Sequence, residues 1–148
     1  MRRTKLVFLI VVVIFVVIQV IRPDFTNPPV DPKHTIQSLV TVPSNIDSTL
    51  RRACYDCHSY ETRMPWYAQI APVSWWLKGH INDGRKELNF SEFATYTKKR
   101  QLRKLDEACD EVKKGDMPLK TYVPMHPAAK LTDADRQMLC AWFQSVSR

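Results

Sequence analysis

Cys54-Tyr55-Asp56-Cys57-His58 is the stretch that decides how this chain is read. Two cysteines three residues apart, with a histidine directly after the second, form the pattern of covalent c-type haem attachment. Residues i and i+3 share one face of a helical turn, so both thiols can reach the two vinyl groups of one porphyrin. The histidine that follows lies beneath the ring plane, where a neutral imidazole nitrogen can bind iron. Zinc would need two further ligands, usually as a second close pair, and the only other cysteines, Cys109 and Cys140, stand far apart. A thioredoxin-like dithiol belongs near a βαβ pattern, and the sequence carries no strand pattern of that kind. Cys54 and Cys57 are therefore the expected attachment residues, and His58 the expected proximal ligand of one haem c per chain.

Toward the N-terminus, Arg2, Arg3 and Lys5 precede an apolar stretch from Leu6 to Ile21 whose only polar residue is Gln19. A basic start followed by an apolar run is an export signal, and Gln19-Val20-Ile21 offers no small-residue cleavage site. An uncleaved signal anchor is expected, with the N-terminus in the cytoplasm and the remaining chain on the periplasmic side of the cytoplasmic membrane. Pro23, Pro28, Pro29, Pro32 and Pro43 then mark residues 23–43 as a linker, since proline cannot continue a helix and favours extended conformations. The expected role of this linker is a semi-rigid spacer. The division is thus an anchor over 1–22, a linker over 23–43 and a haem domain over 44–148.

With anchor and linker set aside, about 105 residues remain, which is one small domain with a modest core of its own. The net charge is +7; Arg2, Arg3 and Lys5 supply three of those charges, leaving 19 basic against 15 acidic residues. That balance is too mild for nucleic-acid binding, and no nucleic-acid motif accompanies it.

The domain reads as all-α. Ser44 or Asp47 can cap a helix that runs into the haem motif. Pro72 suits the first turn of a helix from Val73 to Leu88, and its carbonyl or a neighbour's is the expected acceptor for the His58 Nδ1 proton. Ser91 is a candidate N-cap. Leu102, Leu105, Cys109 and Val112 recur at helical spacing up to Gly115; Phe93 and Tyr96 fall off that stripe, so a break is expected near Thr97. Lys98, Lys99, Arg100, Arg103 and Lys104 crowd this segment, as a solvated face or as a docking patch for an acidic partner or for lipid headgroups. Thr132 and Asp135 have the spacing of a capping box, opening a last helix with Met138, Leu139, Trp142, Phe143 and Val146 on one face. Cys109 falls on its helix's apolar face and Cys140 off its own, which leaves two readings. Either the pair forms a disulfide closing a loop of about 30 residues, or Cys140 is a surface thiol.

An electron-carrying haem usually has a second axial ligand, and the candidates are Met64, Met117, Met125, His80 and His126. Met64 stands too close to the attachment site to cross to the other face of the ring. Met117, followed by Pro118 in a loop between helices, is preferred, with His80 second.

The run from Cys54 to Ser59, then Glu61-Thr62-Arg63, Pro65-Trp66-Tyr67, Ile70 to Trp75, Leu88-Asn89-Phe90-Ser91, and Gly115-Asp116-Met117-Pro118 through His126-Pro127 resembles the bacterial haem-binding domain family. These are small, exported, often membrane-anchored domains similar to c-type cytochromes. The resemblance spans about Val42 to Trp142. It implies a cytochrome c-like helical fold, attachment at Cys54, Cys57 and His58, and Met117 as distal ligand. The function expected is single-electron transfer to or from a redox partner protein, without enzymatic turnover. The alternative is a haem-based sensor or peroxidase-like enzyme with a labile sixth ligand.

Overall fold

The computed structural model describes residues 2–147. Among them the secondary structure is entirely helical: α1 (Arg2–Ile18), α2 (Ser44–Ala53), α3 (Tyr55–His58), α4 (Val73–Glu87), α5 (Lys98–Lys114) and α6 (Asp133–Val146), with short 3-10 turns between them.

The packing of α5 against α6 forms the largest interface. Leu105, Cys109 and Val112 at i, i+4 and i+7 meet Leu139, Cys140 and Phe143, all at most 4% exposed. Burying an apolar side chain of this size contributes about 1.5–3 kcal/mol. Cys109 and Cys140 form a disulfide with Cα atoms 4.8 Å apart, so Cys140 is a buried member of the core. The α6 apolar face is wider than a single stripe and takes Cys140 in.

The ends of these helices follow the local sequence. Thr97 caps α5, accepting from the Arg100 N–H, which is why the helical phase changes between Tyr96 and Lys98. Gly115 closes α5 in the left-handed region at φ 76°, where its missing Cβ removes the penalty a side chain would meet. Thr132 and Asp135 form the capping box at the start of α6.

Three expectations are corrected. Neither Ser44 nor Asp47 caps α2: Pro43 precedes the first turn in an extended conformation, and Asp47 instead pairs with Arg51 at 2.8 Å. Ser91 caps no helix; its Oγ accepts from the Tyr60 N–H at 3.0 Å. The proline-rich segment does not extend as a spacer but wraps the domain. Ile36 is fully buried and donates its N–H to the Phe90 carbonyl, and Asn27 donates to the Thr62 carbonyl and accepts from Arg85. Proline sets the extended backbone, while Phe25 and Ile36 supply the apolar contacts that fold it back.

The N-terminal segment also differs from the expected span. α1 has 17 residues, about 25 Å, and its helical bonding gives way to tight turns from Gln19 to Ile21. Among the described residues no helix is long and apolar enough to cross a membrane.

Candidate functional site

The Cys54–His58 motif occupies one helical turn. The Cys57 and His58 N–H groups both donate to the Cys54 carbonyl, at 3.1 and 2.9 Å. Cys54 itself leaves helical geometry at φ −125°, so α2 stops at Ala53 and the motif sets off at a new angle against α4.

That contact depends on a glycine. A Cβ on Gly84 would lie 2.7 Å from the Cys57 carbonyl oxygen and 3.1 Å from the Cys57 Cβ, so the backbone of α4 approaches the motif as closely as only glycine allows. One turn further on, α4 ends and the Leu88–Ser91 segment turns back over the motif. His58 donates from Nδ1 to the Leu88 carbonyl at 2.9 Å, and its own carbonyl accepts from the Phe90 N–H at 2.8 Å. The Phe90 ring stacks on Tyr55 at 5.3 Å. Leu88, and not Pro72 or its neighbours, therefore holds the imidazole; Pro72 lies at the other end of α4.

A carbonyl can only accept, so the proton sits on Nδ1 and the Nε2 lone pair is left for a metal. Burial lowers the His58 pKa, against the opposing pull of the Leu88 carbonyl, and keeps the ring neutral. Burial likewise pushes the Cys54 thiol up to about 12 and the Cys57 thiol up to about 11. Thiols that rarely ionise make a poor exchange dithiol, which needs a depressed pKa. The two are not bonded to each other, and Cys109 and Cys140, tied in their disulfide, cannot complete a four-cysteine zinc site.

The middle of the motif is anchored as well. Asp56, 8% exposed, accepts from the Arg63 backbone and guanidinium and from the Tyr122 hydroxyl at 2.7 Å. Burial, and then Asp56, raise the Tyr122 pKa, so the phenol keeps its proton and donates. Arg85 joins α4 to the chain after the motif, donating to the Ser59 carbonyl and to Thr62 Oγ1. Every buried side-chain polar atom among the described residues has a partner.

Beside the motif is a cavity of about 340 Å³ that adjoins a second of about 180 Å³; Cys54, His58 and Met117 line both. The larger is in the roughly 300–1,000 Å³ class of cofactor pockets, and the smaller extends it. The larger is walled by Leu88, Phe90, Val112 and Phe143, an apolar lining suited to a flat hydrophobic ring. Cys57, His80 and Tyr122 line the smaller. Lys104 stands on the wall of the larger cavity, 8% exposed, between Glu107 at 2.7 Å and Glu87 at 2.9 Å. Burial alone would lower its pKa, and the two carboxylates outweigh that and raise it. It belongs to the cavity wall, not to the exposed basic cluster its neighbours suggested.

A family model for a haem-binding domain matches residues 13–145. The chain belongs to this haem-binding domain family. No curated protein and no solved structure matches it.

The residues present fit the family's cofactor: two unbridged thiols one turn apart, a neutral imidazole with a free Nε2, and a thioether all line the smaller cavity. Of the candidate distal ligands in this haem-binding domain, only Met117 and His80 line it. His126 is taken up by Tyr67, 2.6 Å from its Nε2, and by a stacked Tyr122 at 3.9 Å; Met64 packs against the small cluster of Ala68, Leu77 and Ile81, and Met125 is exposed. Met117 comes from the loop after α5, where Arg136 from α6 donates to the carbonyls of Val112 and Met117 and holds the loop in place. His80 stands on α4, the helix that leads into the Leu88 carbonyl behind the His58 ring.

Sequence reasoning missed Gly84, Leu88 and Arg136. Gly84 left a signal, a glycine in the interior of a helix that costs about 1 kcal/mol against alanine. Leu88 acts through its backbone and left none.

Proposed function

We propose that this haem-binding domain is a membrane-tethered monohaem protein, similar to c-type cytochromes, that carries single electrons. Cys54 and Cys57 would hold the haem through thioether bonds, and His58 and Met117 would bind its iron. When bound, the group supplies a one-electron Fe(II)/Fe(III) couple. The chain's own part is to hold the imidazole in one tautomer through Leu88, exclude water with Phe90, Val112 and Phe143, and present a thioether, which raises the potential relative to a nitrogen ligand.

The observation that carries this reading is that Cys54, His58 and Met117 line both cavities while the His58 Nδ1 proton is held by a backbone carbonyl. Met117 is favoured over His80 because a group that bonds Nδ1 stands behind the imidazole, and His80 belongs to the helix leading to that group. The exposed apolar run of α1 from Leu6 onward supports tethering over residues 1–22, since a helical stretch apolar all round finds its environment in a core or a membrane, and none of its residues is buried. The basic residues before it favour a periplasmic haem domain.

Spectroelectrochemistry of the haem-loaded protein tests the carrier role. Reversible one-electron titration with no CO complex in the ferrous state is expected. Ready CO binding would mean an open sixth position and favour a sensor or peroxidase-like enzyme.

A further inference from the structure

Gln19, the one polar residue of the apolar stretch, has a partner 52 residues away. Its Oε1 accepts from the Ala71 N–H at 2.9 Å and its Nε2 donates to the Ala71 carbonyl at 3.1 Å. Two residues on, the Ile21 carbonyl accepts from Trp75 Nε1 at 2.7 Å. These three bonds fix the end of α1 against the start of α4. There the first turn of α4 leaves Val73 41%, Trp75 37% and Trp76 43% exposed.

Large apolar side chains are thus gathered at the end of the domain where α1 arrives, itself without a buried residue. Tryptophan, with an apolar ring and one N–H, concentrates at the boundary between hydrocarbon and water. Arg22, bonded to the Gln19 carbonyl, and Lys78, 5.7 Å above the Phe25 ring, place cations beside this surface, as anionic headgroups favour. The proline-rich segment, folded onto the domain, leaves no spacer to lift it away. The apolar part of α1, residues 6–18, is about 20 Å long against a ~30 Å hydrocarbon layer, a shortfall that local thinning and apolar side chains at its end can cover.

We infer that the first turn of α4 is a lipid-contacting surface. The domain sits directly on the bilayer with Trp75 and Trp76 at headgroup level, latched to α1 through Gln19 and Ala71. This rests on the tethering reading above.

Nitroxide labels placed by Val13→Cys, Val73→Cys and Lys113→Cys in the haem-loaded full chain, reconstituted in phosphatidylcholine and phosphatidylglycerol vesicles, distinguish the two. Labels at 13 and 73 are expected to collide preferentially with oxygen, and the label at 113 with a water-soluble nickel chelate. Adding Gln19→Ala should shift the label at 73 toward the pattern at 113 and leave the label at 13 unchanged; no shift would overturn the latch. A water-like label at 73 beside a lipid-like label at 13 would overturn the lipid surface and leave the tether standing. A label at 73 shielded from both reagents would mark a protein-covered surface and overturn it too. A water-like label at 13 would overturn the tether, and this surface with it.

Discussion

His58 Nδ1 lies 2.9 Å from the carbonyl oxygen of Leu88, thirty residues further along the chain. The bond joins the haem motif to the end of α4, and the same helix meets Cys57 through Gly84. Cys57 and His58, the proposed attachment residue and proximal ligand, are therefore positioned by one element.

The two glycines of α4 are expected to respond to alanine with opposite signs. At Gly84 the added methyl meets the Cys57 carbonyl at 2.7 Å, and overpacking of about 1–3 kcal/mol outweighs the ~1 kcal/mol gained in helix propensity. At Gly79 nothing lies within 4 Å of the added methyl, and a gain of about 0.5–1 kcal/mol is expected. Denaturant midpoints of Gly84→Ala and Gly79→Ala give both signs, and a stabilised Gly84→Ala would refute the close approach.

Removing the disulfide by Cys109→Ala with Cys140→Ala should cost about 3–4 kcal/mol by the chain-entropy estimate for a loop of this length. Alkylation without reductant, followed by intact mass, should find neither thiol free. Two alkylated thiols in the haem-loaded protein would contradict the bridge.

Asp135 accepts from the Thr132 backbone N–H and also from the Arg52 guanidinium. The Thr132 N–H first, joined by its hydroxyl and Arg52, holds the Asp135 pKa below the ordinary carboxylate value, against the opposing push of burial. A depressed carboxylate stabilises the fold above its unfolded pKa of about 3.9, and that contribution is lost as pH falls through the lower folded value. Asp135→Asn should lose about 1 kcal/mol near neutral pH and show a flatter acid limb. A variant with the wild-type acid limb would remove Asp135 from that role.

Ferric protein should show the weak near-red absorption of a methionine sulfur on iron. Met117→Ala is expected to abolish it and to open the site to cyanide, while His80→Ala leaves it in place. The reverse pattern would transfer the distal role to His80.

The grouping of Cys54, Cys57 and His58 on one turn was legible because it lies in side chains at fixed spacing, and so were the capping box, Gly115 and the change of helical phase at Thr97. What orients the His58 ring was not, because it is backbone: the carbonyl of Leu88 looks the same in every sequence. The proline-rich segment misled for a related reason. Proline states that the chain is extended, but it does not state whether an extended chain leaves the domain or lies on it, and that is decided by Ile36 and Phe25 finding apolar neighbours. Cys140 was hidden by the width of the α6 face, where Leu139, Cys140, Trp142 and Phe143 are all buried. Gln19 stood out as a polar exception, but its partner Ala71 offers only backbone.

Covalent haem is tested most directly by acid-acetone extraction and a pyridine haemochrome spectrum of the full chain coexpressed with the cytochrome c maturation machinery. Wild type should retain its haem through extraction and give a c-type spectrum, and Cys54→Ala with Cys57→Ala should retain none. Haem that leaves the wild-type chain in acid-acetone, or stays with the double variant, would contradict attachment through Cys54 and Cys57.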